Sequence, residues 1–315
     1  MAVAIIGGTG FLGTAIAKAL VARGETPVQV ARLTSPYEVV TGSITAAADR
    51  ADQPALEAIF AEHGVTRVID VLTLSLENTR ALLAATAAAG ARYVMISAID
   101  VYANYGGLMG METPPVVKRP SREDDPVRTA LYPYRGNPRR PKGFDDALID
   151  DYDKVPIEAA AREDARLDAT ILRLPAIYGP GDKQGRFTWI TEALAAGGPI
   201  RMDERAAAWP QTFITLDDAA AAVALAATSD CGGETFNIAP PIQRTMGEWA
   251  ALFARLAGRD GAVELMPPGS GGLMQERAEV TNMAYPLTMD GARFEARFGP
   301  VQQRPEEEVL RSLLP

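Results

Sequence analysis

The residues Gly7-Gly8-Thr9-Gly10-Phe11-Leu12-Gly13 form a glycine string that could cradle the pyrophosphate of a dinucleotide. The string follows an apolar run, Val3-Ala4-Ile5-Ile6, and precedes an Ala-rich helical pattern over 14–22. Strand, glycine turn, helix is the context in which this spacing carries meaning. Gly10 lets the backbone approach the anion, Gly13 lets the helix pack closely on the strand, and the helix start offers unpaired N–H groups. A site selective for NAD usually places an acid about 20 residues past the glycines, on the ribose 2′-hydroxyl. Here the second apolar run ends Val30-Ala31-Arg32-Leu33-Thr34-Ser35, and no carboxylate comes before Glu38. Arg32 could clamp a 2′-phosphate, with Thr34 and Ser35 adding hydroxyl donors, which favours NADP while leaving NAD open. The alternative for Arg32 is a solvated residue at a strand end.

Elements that would position such a site are legible along the first half. Val28-Gln29-Val30-Ala31, Val68-Ile69-Asp70-Val71, Tyr93-Val94-Met95-Ile96 and Thr170-Ile171-Leu172-Arg173 read as strands. Helical composition separates them over 55–63, 78–89 and 156–166. Alternating β and α with near-continuous apolar strands predicts an α/β fold, a Rossmann-type doubly wound parallel sheet covered on both faces. The stretch 103–146 is rich in Pro, Gly, Arg and Asp and reads as a long loop. Beyond it a helix is expected over 215–227, a short strand at Phe236-Asn237-Ile238, a helix over 246–257 and a final helix near 290–298. Length and pattern suggest a dinucleotide domain over 1–175 and a smaller substrate-binding lobe over 176–315, with 213–238 returning to the first.

Composition narrows the function classes. The chain has 315 residues, 31 Lys and Arg against 40 Asp and Glu, and a formal net charge of −9. That balance argues against broad binding to nucleic acid or membrane surfaces. One cysteine, Cys231, allows no intramolecular disulfide and fits a reducing compartment. With the first strand beginning near Met1 and no bilayer-length apolar run, a cytoplasmic protein is expected. No His, Cys and Asp grouping has metal-ligand spacing, so no metal is expected. The single histidine, His63, ends a helical stretch before Gly64 and reads as a C-terminal cap.

Taken together these motifs resemble the extended short-chain dehydrogenase/reductases, in the NAD-dependent epimerase/dehydratase branch. The resemblance rests on the glycine string, on Ala48-Asp49-Arg50, on the segment from Ser97 to Tyr102, and on Leu172-Arg173-Leu174-Pro175-Ala176-Ile177-Tyr178-Gly179-Pro180-Gly181. Asp217-Asp218 and Phe236-Asn237-Ile238 add later landmarks. It implies an adenine contact at Asp49, further cofactor contacts at Arg50, Val71, Lys154, Leu174, Pro175 and Ile177, and dimerisation through helices beside the sheet.

The same resemblance implies a Ser/Thr, a Tyr and a Lys as the catalytic set, and here the sequence departs. Counting back four residues from Tyr102 gives Ala98; Ser97 is adjacent, but neighbouring side chains in extended chain point to opposite faces. The Tyr-x-x-x-Lys motif aligns in two ways. With Tyr152 as the tyrosine, Pro156 takes the lysine position; with Lys154 as the lysine, which we prefer, Asp150 takes the tyrosine position. A phenol, of pKa about 10, can give and take a proton when an ammonium lowers it, whereas Asp150, starting near about 3.9 and lowered by Lys154, would stay ionised. Pro156 is tolerated in a first helical turn, so a helix starting near Asp153 is expected, with that Asp as N-cap. Tyr152 would then precede the helix and could reach the site, or it could merely pack on the loop. Lys154 could hold the nicotinamide ribose, could serve as acid/base itself if desolvation lowered its pKa, or could be a surface lysine paired with Glu158.

For substrate contacts the sequence offers Tyr102, Tyr134, Arg135 and Trp209, with Arg205 and Gln211 as weaker candidates; a packed turn is the alternative for Tyr134 and Arg135. The expected function is an atypical NADP(H)-binding oxidoreductase acting on a small carbonyl or sugar-like substrate in a cleft between lobes. The alternatives are a redox-neutral epimerase or dehydratase with tightly bound NAD(P), and a dinucleotide-binding sensor or interaction protein without turnover.

Overall fold

The computed structural model describes residues 2–34, 36–137, 146–302 and 304–315. In chain order the strands are β1 (Ala2–Ile6), β2 (Val28–Ala31), β3 (Ile44–Ala47), β4 (Val65–Asp70), β5 (Arg92–Ala98), β6 (Ala169–Leu174), β7 (Ala176–Tyr178), β8 (Ile200–Asp203), β9 (Phe213–Thr215), β10 (Thr235–Asn237) and β11 (Val263–Met266). The helices that matter below are α1 (Phe11–Ala22), α2 (Gln53–Glu62), α3 (Leu76–Ala88), α4 (Ala103–Leu108), α5 (Asp146–Asp150) and α6 (Lys154–Glu163).

Seven strands form one sheet in the order β10-β6-β5-β4-β1-β2-β3. β1 pairs in parallel with both β2 and β4, so the strand order reverses at β1, where open α/β sheets bind ligands beyond their carboxyl ends. The apolar runs are continuous because the central strands are covered on both faces: Val3, Ala4, Ile5 and Ile6 of β1 are all buried. β3, at the sheet edge, is half exposed. On one face Leu56 and Phe60 of α2, Leu82 of α3 and Ile157 and Ala161 of α6 pack with Tyr93, Met95 and Ile171 of the sheet. On α1, the residues Leu12, Ile16, Ala17 and Leu20 are buried, the spacing of one helical face.

By contact clustering the chain divides into two units. The first comprises Met1–Val101, Leu131–Leu174 and Ala219–Phe236. The second comprises Tyr102–Ala130, Pro175–Asp218 and Asn237–Pro315, so residues 102–130 group with it rather than with the segment 1–175. The second unit contains two small parallel pairs, β7 with β9 and β8 with β11.

Two expectations need correction here. The stretch from 103 is not loop throughout, since its start forms α4. Gly106 and Gly107 lie inside that helix because a Cβ on either would fall 2.3 Å from Glu112 Oε1 or 2.4 Å from Tyr285 Cε1. Glycines that read as loop-formers are there for close packing. The helix near 290–298 (Ala292–Phe298) is also not the final one. A further helix, Glu306–Ser312, follows Pro305, carries three glutamates in its first turn and buries Leu310.

One buried ion pair fastens α6 to the sheet. Arg173, inside β6, donates to Glu158 through Nε (2.9 Å) and Nη2 (2.7 Å), and both side chains are 2% exposed. Burial pushes the Glu158 carboxyl up, but the hydrogen bond and charge of Arg173, helped by Ser97 and Arg162, outweigh it and hold the group below its ordinary value. This contribution is therefore full above the range in which an unfolded glutamate titrates, and is lost as pH falls through the lowered value. Arg173→Ala leaves the buried Glu158 carboxylate with only Arg162 and Ser97 as partners and should cost about 1–3 kcal/mol in urea denaturation at neutral pH. An unchanged midpoint would refute the assignment.

Candidate active site

At the end of β1 the chain turns on Gly7, whose φ of +80° is a backbone state that L side chains rarely adopt. Its N–H donates to the Val30 carbonyl (2.9 Å). A Cβ on Gly13 would lie 2.2 Å from the Gly7 carbonyl oxygen, so α1 can approach the turn this closely only with glycine there. Gln29, buried in β2, braces the turn by donating to the Gly8 carbonyl (2.5 Å), and its own oxygen accepts from Ser43 (2.7 Å). Gly10 is the N-cap of α1, has extended backbone and supplies no capping side chain. The first turn of α1 has no acidic residue either. Thr9, Phe11 and Leu12 complete this turn, and its free helix-start N–H groups suit a pyrophosphate. The residues present thus fit a dinucleotide.

Arg32 is exposed just past β2, and no group among the described residues engages its guanidinium. Glu38, the nearest following carboxylate, pairs with Lys18 (2.8 Å). Thr34 is exposed, while Ser35 lies outside the described residues. Asp49 is exposed, with its carboxylate accepting the Ala51 N–H (2.9 Å). Arg50 departs from the expected cofactor contact. Its guanidinium is committed to Asp70 (2.7 Å), the Asn78 carbonyl (2.9 Å), Thr79 (3.1 Å) and the Leu72 carbonyl, which ties the end of β4 to α3. Val71 is half-buried and donates its N–H to Ile6 (3.1 Å). Leu174 and Pro175 are buried and Ile177 half-buried.

The turn from β5 into Ile99–Val101 and the start of α6 hold the groups able to move a proton. Asp153 caps α6 by accepting from Val155 N–H (2.9 Å), which leaves Pro156 in the first turn as expected. Tyr152 precedes the helix, and its hydroxyl donates to Asp100 Oδ2 at 2.6 Å. Lys154 Nζ lies 5.7 Å from the Tyr152 ring centroid. It does not pair with Glu158; it donates to the Thr73 carbonyl (2.9 Å), Thr73 Oγ1 (2.5 Å) and the Ile96 carbonyl (3.2 Å). Burial lowers the Lys154 ammonium from its ordinary value, opposed chiefly by the charges of Asp100 and Asp70.

Two catalytic candidates are displaced by this geometry. Ser97 is buried and donates to Glu158 (2.5 Å), so its hydroxyl serves the α6 anchor rather than a reacting oxygen. Asp150 ends α5, where its carbonyl accepts from Arg135 Nε (3.2 Å), and the charge that most opposes the lowering of Lys154 is that of Asp100. Sequence reasoning missed Asp100 and Thr73. The one available signal was position, since each lies just beyond the carboxyl end of a central strand.

Of the substrate candidates, Tyr134 stacks on Tyr152 with centroids 5.3 Å apart. Arg135 is held within the protein instead, paired with Asp151 (2.6 Å) and lying over the Tyr132 ring (3.9 Å). Tyr102 is also corrected: its buried hydroxyl donates to Asn237 Oδ1 (2.6 Å). Trp209 is buried with its Nε1 donating to the Tyr285 carbonyl (2.8 Å). The second unit carries a concavity of about 650 Å³, lined among others by Gln184, Arg186, Trp189, Gln211, Phe213 and Arg277. Arg205, by contrast, pairs with Asp203 (2.7 Å).

Residues 3–134 match the NAD dependent epimerase/dehydratase family. No curated protein matches the chain in sequence. Among solved structures, a UDP-glucose 4-epimerase from Thermus thermophilus in complex with NAD is 21% identical with a TM-score of 0.68, over 99% of this chain and 97% of that one. A dTDP-glucose 4,6-dehydratase from Bacillus anthracis in complex with NAD is 15% identical with a TM-score of 0.71, over 99% and 94%. A UDP-glucose 4-epimerase from Thermotoga maritima with UDP-glucose is 20% identical with a TM-score of 0.68, over 99% and 96%. These likenesses establish the fold.

Proposed function

We propose, from the match of residues 3–134 to the NAD dependent epimerase/dehydratase family, that this chain is a nicotinamide-dinucleotide enzyme acting at a carbon–oxygen centre of a small polar substrate. The observation that carries the reading is the pairing of a glycine turn fit for pyrophosphate with Tyr152 and Lys154 in the same structural unit. When bound, the nicotinamide supplies or takes a hydride. The protein's part is to hold the dinucleotide phosphates at Gly7–Gly13 and to move the proton of the substrate oxygen through Tyr152. Lys154 places a positive charge beside that phenol. The concavity of the second unit offers Trp189 to a ring face and Arg186 and Arg277 to anionic groups, which suits a sugar-like or nucleotide-bearing molecule.

We assign NADP(H) as the preferred cofactor and net oxidoreduction as the reaction, on the Arg32 guanidinium that no group among the described residues engages and on the pairing of Glu38 with Lys18. A second reading, redox-neutral epimerisation or dehydration, is favoured by the matched family and by the NAD named with the epimerase and dehydratase structures. Incubation with NADPH and a panel of ketones separates them: steady loss of the reduced-nicotinamide absorbance supports the oxidoreductase, and product without net absorbance change supports the epimerase or dehydratase. Arg32→Ala should weaken NADPH binding by roughly 10-fold, the loss of a charge-assisted contact of about 1.5 kcal/mol, and leave NADH binding nearly unchanged. Equal loss for both cofactors would count against the 2′-phosphate role.

A further inference from the structure

The hydrogen bond from Tyr152 to Asp100 has a consequence that neither the glycine turn nor the Tyr–Lys pairing supplies. A phenol activated only by an ammonium works by losing its proton to become phenolate. Here the phenol already points its proton at a carboxylate oxygen, 2.6 Å away. Asp100 is 7% exposed, and the short helix Ile99–Val101 turns it back just beyond the carboxyl end of β5. Ala98, which stands where the resembled enzymes place their hydroxyl, provides no competing donor.

We propose that Asp100 is the proton acceptor behind Tyr152, so that the pair works as a two-step relay and Tyr152 never rests as phenolate. This rests on the reading of the site as the proton-handling part of a dinucleotide enzyme. In the oxidative direction the substrate O–H bond breaks and its proton forms an O–H bond with Tyr152 Oη. As it does so, Tyr152's own proton moves to Asp100 Oδ2. The electron pair stays on the substrate oxygen, and the carboxylate is neutralised. In the reductive direction the same two protons move back. Asp100 acts through Tyr152 and is a positioning residue; Tyr152 is the group that touches substrate. Lys154 holds positive charge next to both, and its own bonds to Thr73 and Ile96 keep it from capturing Asp100 as a direct salt bridge.

Charged and titratable groups facing this pair come from several elements. They are Lys154 on α6, Asp70 with Arg50 at the end of β4, Glu158 further along α6, and the Arg135–Asp151 pair beside Tyr152. An accepting carboxylate stabilises the protonated phenol, whereas Lys154 stabilises the phenolate. Removing the charge of Asp100 alone should therefore let Tyr152 ionise at lower pH.

The test reads tyrosinate absorbance against pH in the protein without cofactor, for the wild type, Asp100→Asn and Tyr152→Phe. The difference from Tyr152→Phe isolates the Tyr152 signal, and in Asp100→Asn that signal should appear at clearly lower pH. With cofactor and substrate, Asp100→Asn should lower kcat by about 100-fold with KM and dinucleotide affinity within about 2-fold, and Asp100→Glu should restore part of kcat. Unshifted tyrosinate ionisation overturns the relay whatever the activity. Undiminished kcat in Asp100→Asn overturns it while leaving the proposed function standing. If the wild type turns over nothing with either cofactor, the proposed function fails, and the spectroscopic arm still decides the Tyr152–Asp100 link.

Discussion

Tyr152→Phe should retain fold and dinucleotide binding yet lose turnover by about 10²–10⁴-fold, the usual contribution of a positioned acid/base. The substitution removes one oxygen and leaves the ring that stacks on Tyr134 in place. Steady-state kinetics on a responsive substrate would show the loss in kcat, with KM little changed, because the phenol is used in the transition state rather than in ground-state binding. The size of the effect also discriminates. If Tyr152 only packed against the loop bearing Tyr134, its hydroxyl would be dispensable and turnover would stay within a factor of about two. That outcome would return the proton to Lys154, whose buried ammonium is already lowered from its ordinary value.

The second large effect concerns Gly13. Gly13→Val puts a branched side chain where even a Cβ would sit 2.2 Å from the Gly7 carbonyl oxygen and 2.8 Å from the Gly8 Cα. Both contacts are backbone, so neither neighbour can swing aside. The start of α1 must move away from the turn, and the phosphate cradle opens. Overpacking of this kind costs about 1–3 kcal/mol or more. Dinucleotide affinity should fall by well over 10-fold because the N–H groups no longer converge on the anion. Gly198→Ala is the matching control, since a Cβ there meets nothing within 4 Å. Thermal unfolding and dinucleotide titration of the two variants check the contrast. Equal behaviour would mean that α1 does not depend on close approach at Gly13.

How far the sequence alone reaches depends on the kind of signal each residue leaves. The doubly wound sheet was legible because the middles of β1, β4, β5 and β6 are buried and carry short apolar runs such as Val3–Ile6, Val68-Ile69 and Val94–Ile96. β7 and β9, of three residues each, leave no such run and passed unnoticed. The cap of α6 was legible as well, because Pro156 restricts where that helix can begin. Gly106 and Gly107 misled, since composition cannot distinguish a glycine needed for a turn from one needed for packing against Glu112 and Tyr285.

Family landmarks locate a backbone segment but do not say which way its side chains point. Arg50 is bonded to Asp70, Tyr102 to Asn237 and Trp209 to Tyr285, so polar groups at three expected ligand contacts are engaged within the protein. Asp100 was missed for the converse reason. A single aspartate after a strand has no periodicity and no spacing partner in sequence. Its meaning comes only from Tyr152, 52 positions away, reaching it across the fold. Ser97, chosen for nearness in sequence to the expected motif, serves another contact because one residue of register decides the face in extended chain, while Asp150 ends α5 and gives its carbonyl to Arg135.

The proposed enzyme depends first on the turn over Gly7–Gly13 holding a nicotinamide dinucleotide. The most direct measurement is an equilibrium titration of the wild-type protein with NADPH, followed by the fluorescence of the reduced nicotinamide. Saturable binding of one equivalent per chain is expected, displaced by NADP and more weakly by NAD. Absence of saturable binding by either reduced cofactor would contradict it.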